Sequence, residues 1–133
     1  MFTAHAIRGA FERTLASAGG SLGTWIVLSA LSENGLVSQS AIAGHARVEG
    51  ATITHHIDRL ESLGLVRRSV DPEDRRVRRV ELTPEGVELH RRLLAEAELL
   101  EAVLLAGLDE RERADLLAML DRIRTNVDAA RGG

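Results

Sequence analysis

Apolar residues fall along this chain at two spacings. Steps of three and four put side chains on one face of a helix, and a short alternation of step two does the same for a strand. Phe2, Ala6, Ile7, Ala10, Phe11 and Leu15 keep the helical step, so about Thr3 to Ser17 reads as an amphipathic helix ended by Gly19-Gly20. Ser21 caps a second helix, whose Trp25, Ile26, Val27, Leu28 and Leu31 make it apolar nearly all round and therefore buried, before Asn34-Gly35 stops it. Ser38 opens a short third helix through about Ala46, with Ile42 and Ala43 inward, and a turn follows at Arg47 to Glu49. In the fourth helix, about Gly50 to Leu63, Ile53, Ile57 and Leu60 form one stripe, while Thr52, Thr54, His55, Asp58 and Arg59 lie off it.

Gly64 suits a left-handed helix ending, with Leu65 folding back onto Leu60. Two short strands, about Val66 to Ser69 and Val77 to Leu82, flank Asp71-Pro72-Glu73-Asp74, where proline presets a turn. Thr83-Pro84-Glu85 then starts a long helix carrying Val87, Leu93, Leu94, Ala97, Leu100 and Leu104 as far as Gly107. Asp109-x-x-Glu112 is a capping box for a last helix with Leu116, Leu120, Ile123 and Val127 on one stripe. The predicted fold is mainly α: a winged helix-turn-helix made of helices and a two-stranded β-hairpin wing. Residues 1–133 read as one domain without an internal repeat.

Composition narrows the class. Apolar residues make up 44% and charged residues 28%, a globular balance, and the chain contains no cysteine, which excludes disulfides and cysteine-ligated zinc. No apolar run is long enough to span a bilayer, and no signal-peptide order opens the sequence, so a cytoplasmic protein without a membrane partner is expected. The net charge of −3 is unevenly spread. Between Arg67 and Arg79 six arginines face three acids, whereas from Glu96 onward nine acids outnumber five arginines. A basic hairpin beside a helix with a polar outer face is what the duplex-DNA reading of a helix-turn-helix requires, since guanidinium groups follow phosphates or enter the narrow minor groove. Asp74 and Arg76, two apart on extended chain, share a face, so the carboxylate can aim the guanidinium. The alternative is a solvated turn ion pair.

The stretches THHIDRLESLGLVRR (54–68) and DPEDRRVRRVELTPEG (71–86) resemble the MarR family of bacterial regulators, and the element order extends the resemblance from about Ser21 to Val127. The resemblance implies a DNA-binding region over 21–83, dimerisation helices over 1–20 and 84–131, a recognition helix over Glu49 to Leu63, and a wing whose Asp74 and Arg76 place arginine in the minor groove. On that helix Ala51, Thr52, Thr54 and His55 are the candidate base readers, with Arg59 beside them and Arg75 on the wing; threonine and histidine both have groups that bond base edges. His55 stands where many family members carry arginine, which changes the expected half-site preference. Ser38 and Gln39, at a helix N-terminus, either contact phosphate or simply cap the helix. Family members are often released from DNA by small aromatic or lipophilic effectors, for which His5, Phe11 and Trp25 are candidate lining residues, unless Trp25 is only core.

His55 and His56 are adjacent and diverge around a helix, so they do not form a chelating pair, and His5, His45 and His90 are isolated. No metal site or cofactor is expected. No nucleophile elbow, phosphate loop or paired-carboxylate cleft points to an enzyme. The sequence predicts a homodimeric repressor that binds double-stranded DNA. A winged-helix protein-interaction module that does not bind DNA specifically is the alternative.

Overall fold

Side-chain and glycine caps set the helix ends where the sequence places them. The computed structural model describes residues 2–35, 37–46 and 50–132, and the side chains of all of these but 45, 46, 50 and 51. The elements run α1 (Phe2–Ser17), α2 (Leu22–Asn34), β1 (Val37–Ser38), α3 (Gln39–Ala46), α4 (Gly50–Ser62), β2 (Val66–Val70), β3 (Arg78–Leu82), α5 (Pro84–Leu104) and α6 (Glu110–Gly132). Ser21 Oγ accepts the Thr24 N–H at 3.2 Å, and Ser38 Oγ accepts the Ala41 N–H at 3.2 Å. At the end of α4, Gly64 adopts φ +74°; the Leu65 N–H reaches Leu60 O at 2.9 Å and the Gly64 N–H reaches Glu61 O at 3.0 Å, the paired bonds of a Schellman ending. The chain forms two compact units, Met1–Leu100 and Glu101–Gly133.

Among the described residues the sheet has three strands, the two of the expected hairpin and a short third. Its order is β1-β3-β2, all antiparallel, with Val37 opposite Val80, Ser38 opposite Arg79, and the hairpin register running from Val66 opposite Leu82 to Val70 opposite Arg78. A two-residue strand gives no alternation to detect, and Ser38 both ends it and caps α3, so cap and strand overlap in the sequence. In the first unit, the stripe of α4 (Ile53, Ile57, Leu60) packs with Val27, Leu28 and Leu31 of α2, Ile42 of α3, and Val66 and Val80 of the sheet. Leu15 from α1 and Leu89 and Leu93 from α5 join the same core. Each such aliphatic side chain contributes about 1.5–3 kcal/mol of burial, which fixes α4 with its polar face outward.

The hairpin is clamped at its base. The Thr83 N–H donates to Leu65 O at 3.1 Å, Thr83 Oγ1 donates to Gly64 O at 2.6 Å, and the same hydroxyl accepts the Gly86 N–H at 3.1 Å. A Cβ on Gly86 would lie 2.0 Å from Leu65 O, so α5 can start this close to the end of α4 only with glycine there.

In the second unit, the predicted capping box is present: the Asp109 N–H donates to Glu112 Oε1 at 3.0 Å and the Glu112 N–H to Asp109 Oδ1 at 2.8 Å. Arg113 donates to Leu108 O at 3.0 Å and Leu105 O at 3.2 Å, satisfying carbonyls that the end of a helix leaves open. None of the described residues of α6 is buried, and Leu117, Met119, Leu120, Ile123 and Val127 are exposed. Among the described residues no single helix is long and apolar enough to cross a membrane.

Candidate nucleic-acid interface

The N-terminus of α3, the polar face of α4 and the tip of the hairpin enclose an open groove of about 320 Å³ lined by Ser38, Gln39, Ser40, Ala43, Thr54, Arg76, Val77 and Arg78. Four of the residues expected to meet DNA (Ser38, Gln39, Thr54 and Arg76) are thus brought together from the β1–α3 junction, α4 and the hairpin turn. Thr52, His55 and Arg59 are exposed on α4 but do not line the groove, and Arg75 is exposed near the hairpin tip. The side chain of Ala51, and Glu49 at the expected helix start, lie outside the described residues. Gln39 does more than the sequence suggested: its Nε2 donates to Thr54 Oγ1 at 2.5 Å, tying α3 to the recognition helix.

The arginines divide into bound and presented groups. Arg67 pairs with Glu81 across the ladder at 3.0 Å, Arg68 with Asp58 at 2.5 Å and Glu61 at 3.5 Å, and Arg79 with Asp71 at 2.9 Å. Counting charge along the hairpin alone therefore overstated its excess, because Asp58, Glu61 and Glu81 approach from outside the counted stretch. Arg75 and Arg78 have no acidic partner among the described residues, and Arg76 is 91% exposed. Arg78, absent from the sequence-based candidates, lines the groove. Its position opposite Val70 in the hairpin register was the missing information.

Asp74 and Arg76 do pair, but not by sharing the face of an extended strand. The strands end at Val70 and resume at Arg78, and the Val77 N–H returns to Asp74 O at 3.0 Å, so residues 74–77 form a turn. Asp74 Oδ1 there accepts both the Arg76 N–H at 3.1 Å and Arg76 Nε at 3.3 Å. Backbone and side chain are held by one oxygen, which aims the guanidinium while leaving its outer nitrogens to solvent.

Asp71 is the buried acid of the hairpin. Its carboxylate accepts the Glu73 N–H at 2.8 Å and Arg79 Nε at 2.9 Å, and the Asp71 N–H closes the loop on Val77 O at 3.0 Å. The backbone hydrogen bond from Glu73 first, and the Arg79 guanidinium second, hold its pKa below the ordinary 3.8 despite burial.

Away from the groove, Phe11 and Trp25 meet edge to face at 5.5 Å, and Trp25 stacks on His90 at 5.7 Å. Phe11 and Trp25 are partly buried and pack against the core, whereas His5 is exposed. No local pattern joins His90, far along the chain on α5, to this group. Burial lowers its pKa from the ordinary 6.5, opposed by the Glu33 carboxylate. His56 turns from His55 toward α2, where a Cβ on Gly23 would lie 2.4 Å from its ring. Among the described residues no three histidine, aspartate or glutamate side chains converge as a metal site.

The MarR family model matches residues 21–77, the span from α2 through the hairpin tip. A Thauera aromatica protein named as transcriptional regulatory protein for the hcr operon is 31% identical over 114 residues, covering 85% of this chain and 69% of its own length. The chain belongs to the MarR family. The helix-turn-helix-type regulator YdgJ of Bacillus subtilis is 35% identical over 92 residues, 69% of this chain, and the chain spans only 56% of YdgJ. Among solved MarR-type folds, that of Bordetella bronchiseptica BpsR, whose DNA binding is regulated by 6-hydroxynicotinic acid, superimposes with a TM-score of 0.74 at 27% identity, covering 93% of this chain and 99% of BpsR. These relatives are transcriptional regulators rather than enzymes, and they give the protein-interaction alternative no support.

Proposed function

We propose that this MarR-family chain is a sequence-specific duplex-DNA-binding transcriptional regulator, acting as a homodimeric repressor released by a small aromatic or lipophilic effector. The observation that carries the reading is the groove in which Ser38, Thr54, Arg76 and Arg78 converge from a helix N-terminus, a polar recognition face and a hairpin tip. On duplex DNA, Thr52, Thr54 and His55 of α4 read base edges in the major groove, Ser38 contacts phosphate at the positive end of α3, and Arg76 enters the minor groove with Arg75 and Asp74 beside it on the hairpin turn. Arg59, exposed on the same helix, follows the phosphate backbone.

Two copies place paired recognition helices about 34 Å apart, one turn of duplex. Support for the second copy comes from the exposed Leu117, Leu120, Ile123 and Val127 of α6, and separately from Phe2, 93% exposed on α1. The Phe11–Trp25–His90 rings offer an aromatic surface for the effector, and BpsR provides the precedent of a heteroaromatic acid acting on DNA binding.

The deciding experiment is an anisotropy titration against the intergenic DNA beside the gene, with sedimentation to read the mass of the free protein. Saturable binding that weakens by about 10³-fold or more between roughly 50 and 200 mM salt is expected, and a particle of twice 14.4 kDa. Arg76→Ala should cost about tenfold or more in affinity without changing the melting temperature. Binding that ignores salt, or that Arg76→Ala leaves intact, would overturn the proposal.

A further inference from the structure

Arg68 is the least exposed arginine of the hairpin, its side chain 17% accessible, and it does not face the groove. One guanidinium spans most of α4: Nη2 donates to Thr54 O at 3.3 Å, and Nη1 reaches Asp58 Oδ1 at 2.5 Å and Glu61 Oε1 at 3.5 Å. Residues 54, 58 and 61 are separated by four and three, so they share one face of the helix. The Arg68 backbone N–H also donates to Glu61 Oε2 at 3.2 Å. On the other side, Arg68 sits opposite Val80 in the ladder, two residues along β3 from Arg78, which lines the groove with Arg76. Thr54 is consequently held by α3 through Gln39 and by β2 through Arg68.

Apolar packing at this place would hold helix and hairpin together but would tolerate sliding and rotation. A planar guanidinium directed at the Thr54 carbonyl and two carboxylates on one helix face restricts both. Among the described residues Arg68 Nε is buried without a hydrogen-bond partner, which costs stability. We infer that Arg68 is a positioning residue that couples the wing to the recognition helix, so that the minor-groove and major-groove contacts engage DNA as one rigid unit. The inference rests on the DNA-binding reading above.

The test is a double-mutant cycle. A duplex is enriched with the native protein from a pool of random 30-base-pair duplexes, and Thr54→Ala, Arg76→Ala and the double variant are titrated against it by anisotropy, in the native and the Arg68→Met backgrounds. In the native background the double variant should lose about tenfold less affinity than the product of the single losses, because one misplaced contact already weakens the other. In Arg68→Met the losses should simply multiply. The acids Asp58 and Glu61 are solvent-exposed and stay hydrated when the arginine is removed, so Arg68→Met should melt cooperatively. If it does not, Asp58→Asn combined with Glu61→Gln breaks the same link from the helix side and should abolish the coupling equally. Coupling that persists in a folded background, or that the native protein lacks, overturns the inference. Failure to enrich any duplex would instead overturn the DNA-binding reading, and this inference with it.

Discussion

The root and the tip of the wing each carry an aspartate–arginine pair, and burial separates what the two pairs do. At the root, Asp71 and Arg79 are 11% and 39% exposed and meet at 2.9 Å, with the Glu73 N–H on the second carboxylate oxygen. At the tip, Asp74 and Arg76 are 43% and 91% exposed and meet at 3.3 Å. A shielded, multiply bonded pair fixes backbone, whereas an exposed pair contributes little to stability and leaves its cation able to trade water for phosphate. The same two residue types, three positions apart in the sequence, serve folding in one case and recognition in the other.

Changes that break the root should be read in the melt, and changes at the tip in DNA binding. The largest effect is expected where the hairpin base meets α5. Gly86→Ala drives a methyl onto Leu65 O and should cost about 3 kcal/mol, lowering the melting temperature by roughly ten degrees or more. An unchanged melt would show that the base is not clamped. Next, Asp71→Asn should lower the melting temperature and expose the Glu73 amide to exchange, while Asp74→Asn leaves the melt alone and weakens only DNA binding. Equal melting shifts for the two would erase the distinction.

The pH dependence follows from the same carboxylate. Because Asp71 has its pKa depressed in the folded state, its stabilising contribution is complete above 3.8 and is lost only as pH falls through the lower folded value. The Glu73 amide shift, followed by NMR, should therefore titrate below 3.8; a midpoint at or above it would contradict the root geometry. The smallest effect concerns salt. Arg75→Ala should reduce the slope of log affinity against log salt by about 0.9, one phosphate contact, whereas Arg67→Ala, already paired with Glu81, should leave it unchanged.

What the sequence disclosed and what it hid follow the range of the interactions. Ser21, Ser38, Gly64 and the Asp109–Glu112 box were readable because each bond closes within a few residues of its start. The apolar stripe of α4 was readable because burial repeats with the helix. The Gln39–Thr54 and Arg67–Glu81 contacts join residues 15 and 14 apart, and the contact of Gly86 with Leu65 crosses a whole hairpin. None of these leaves a local pattern. The pairing of Asp74 with Arg76 was anticipated from their spacing, but the extended geometry assumed for it was wrong, because the turn begins before the arginine. Arg78 was overlooked for a related reason: adjacent arginines look alike until the register assigns one to the groove and the other to Asp71.

The sole tryptophan of the chain is the one that meets Phe11 edge to face and stacks on His90. Its emission is therefore a single-site optical probe, built in without labelling, of the place where α1, α2 and α5 meet. Since burial keeps the His90 pKa below 6.5, the neighbouring imidazole is mostly uncharged at neutral pH. A fluorescence change on adding a small molecule at pH 7 would then register repacking of these rings rather than titration. The absence of cysteine complements the probe: a single thiol introduced on α6 would accept one acceptor dye at one address, making the chain ready for energy-transfer measurements without any background removal.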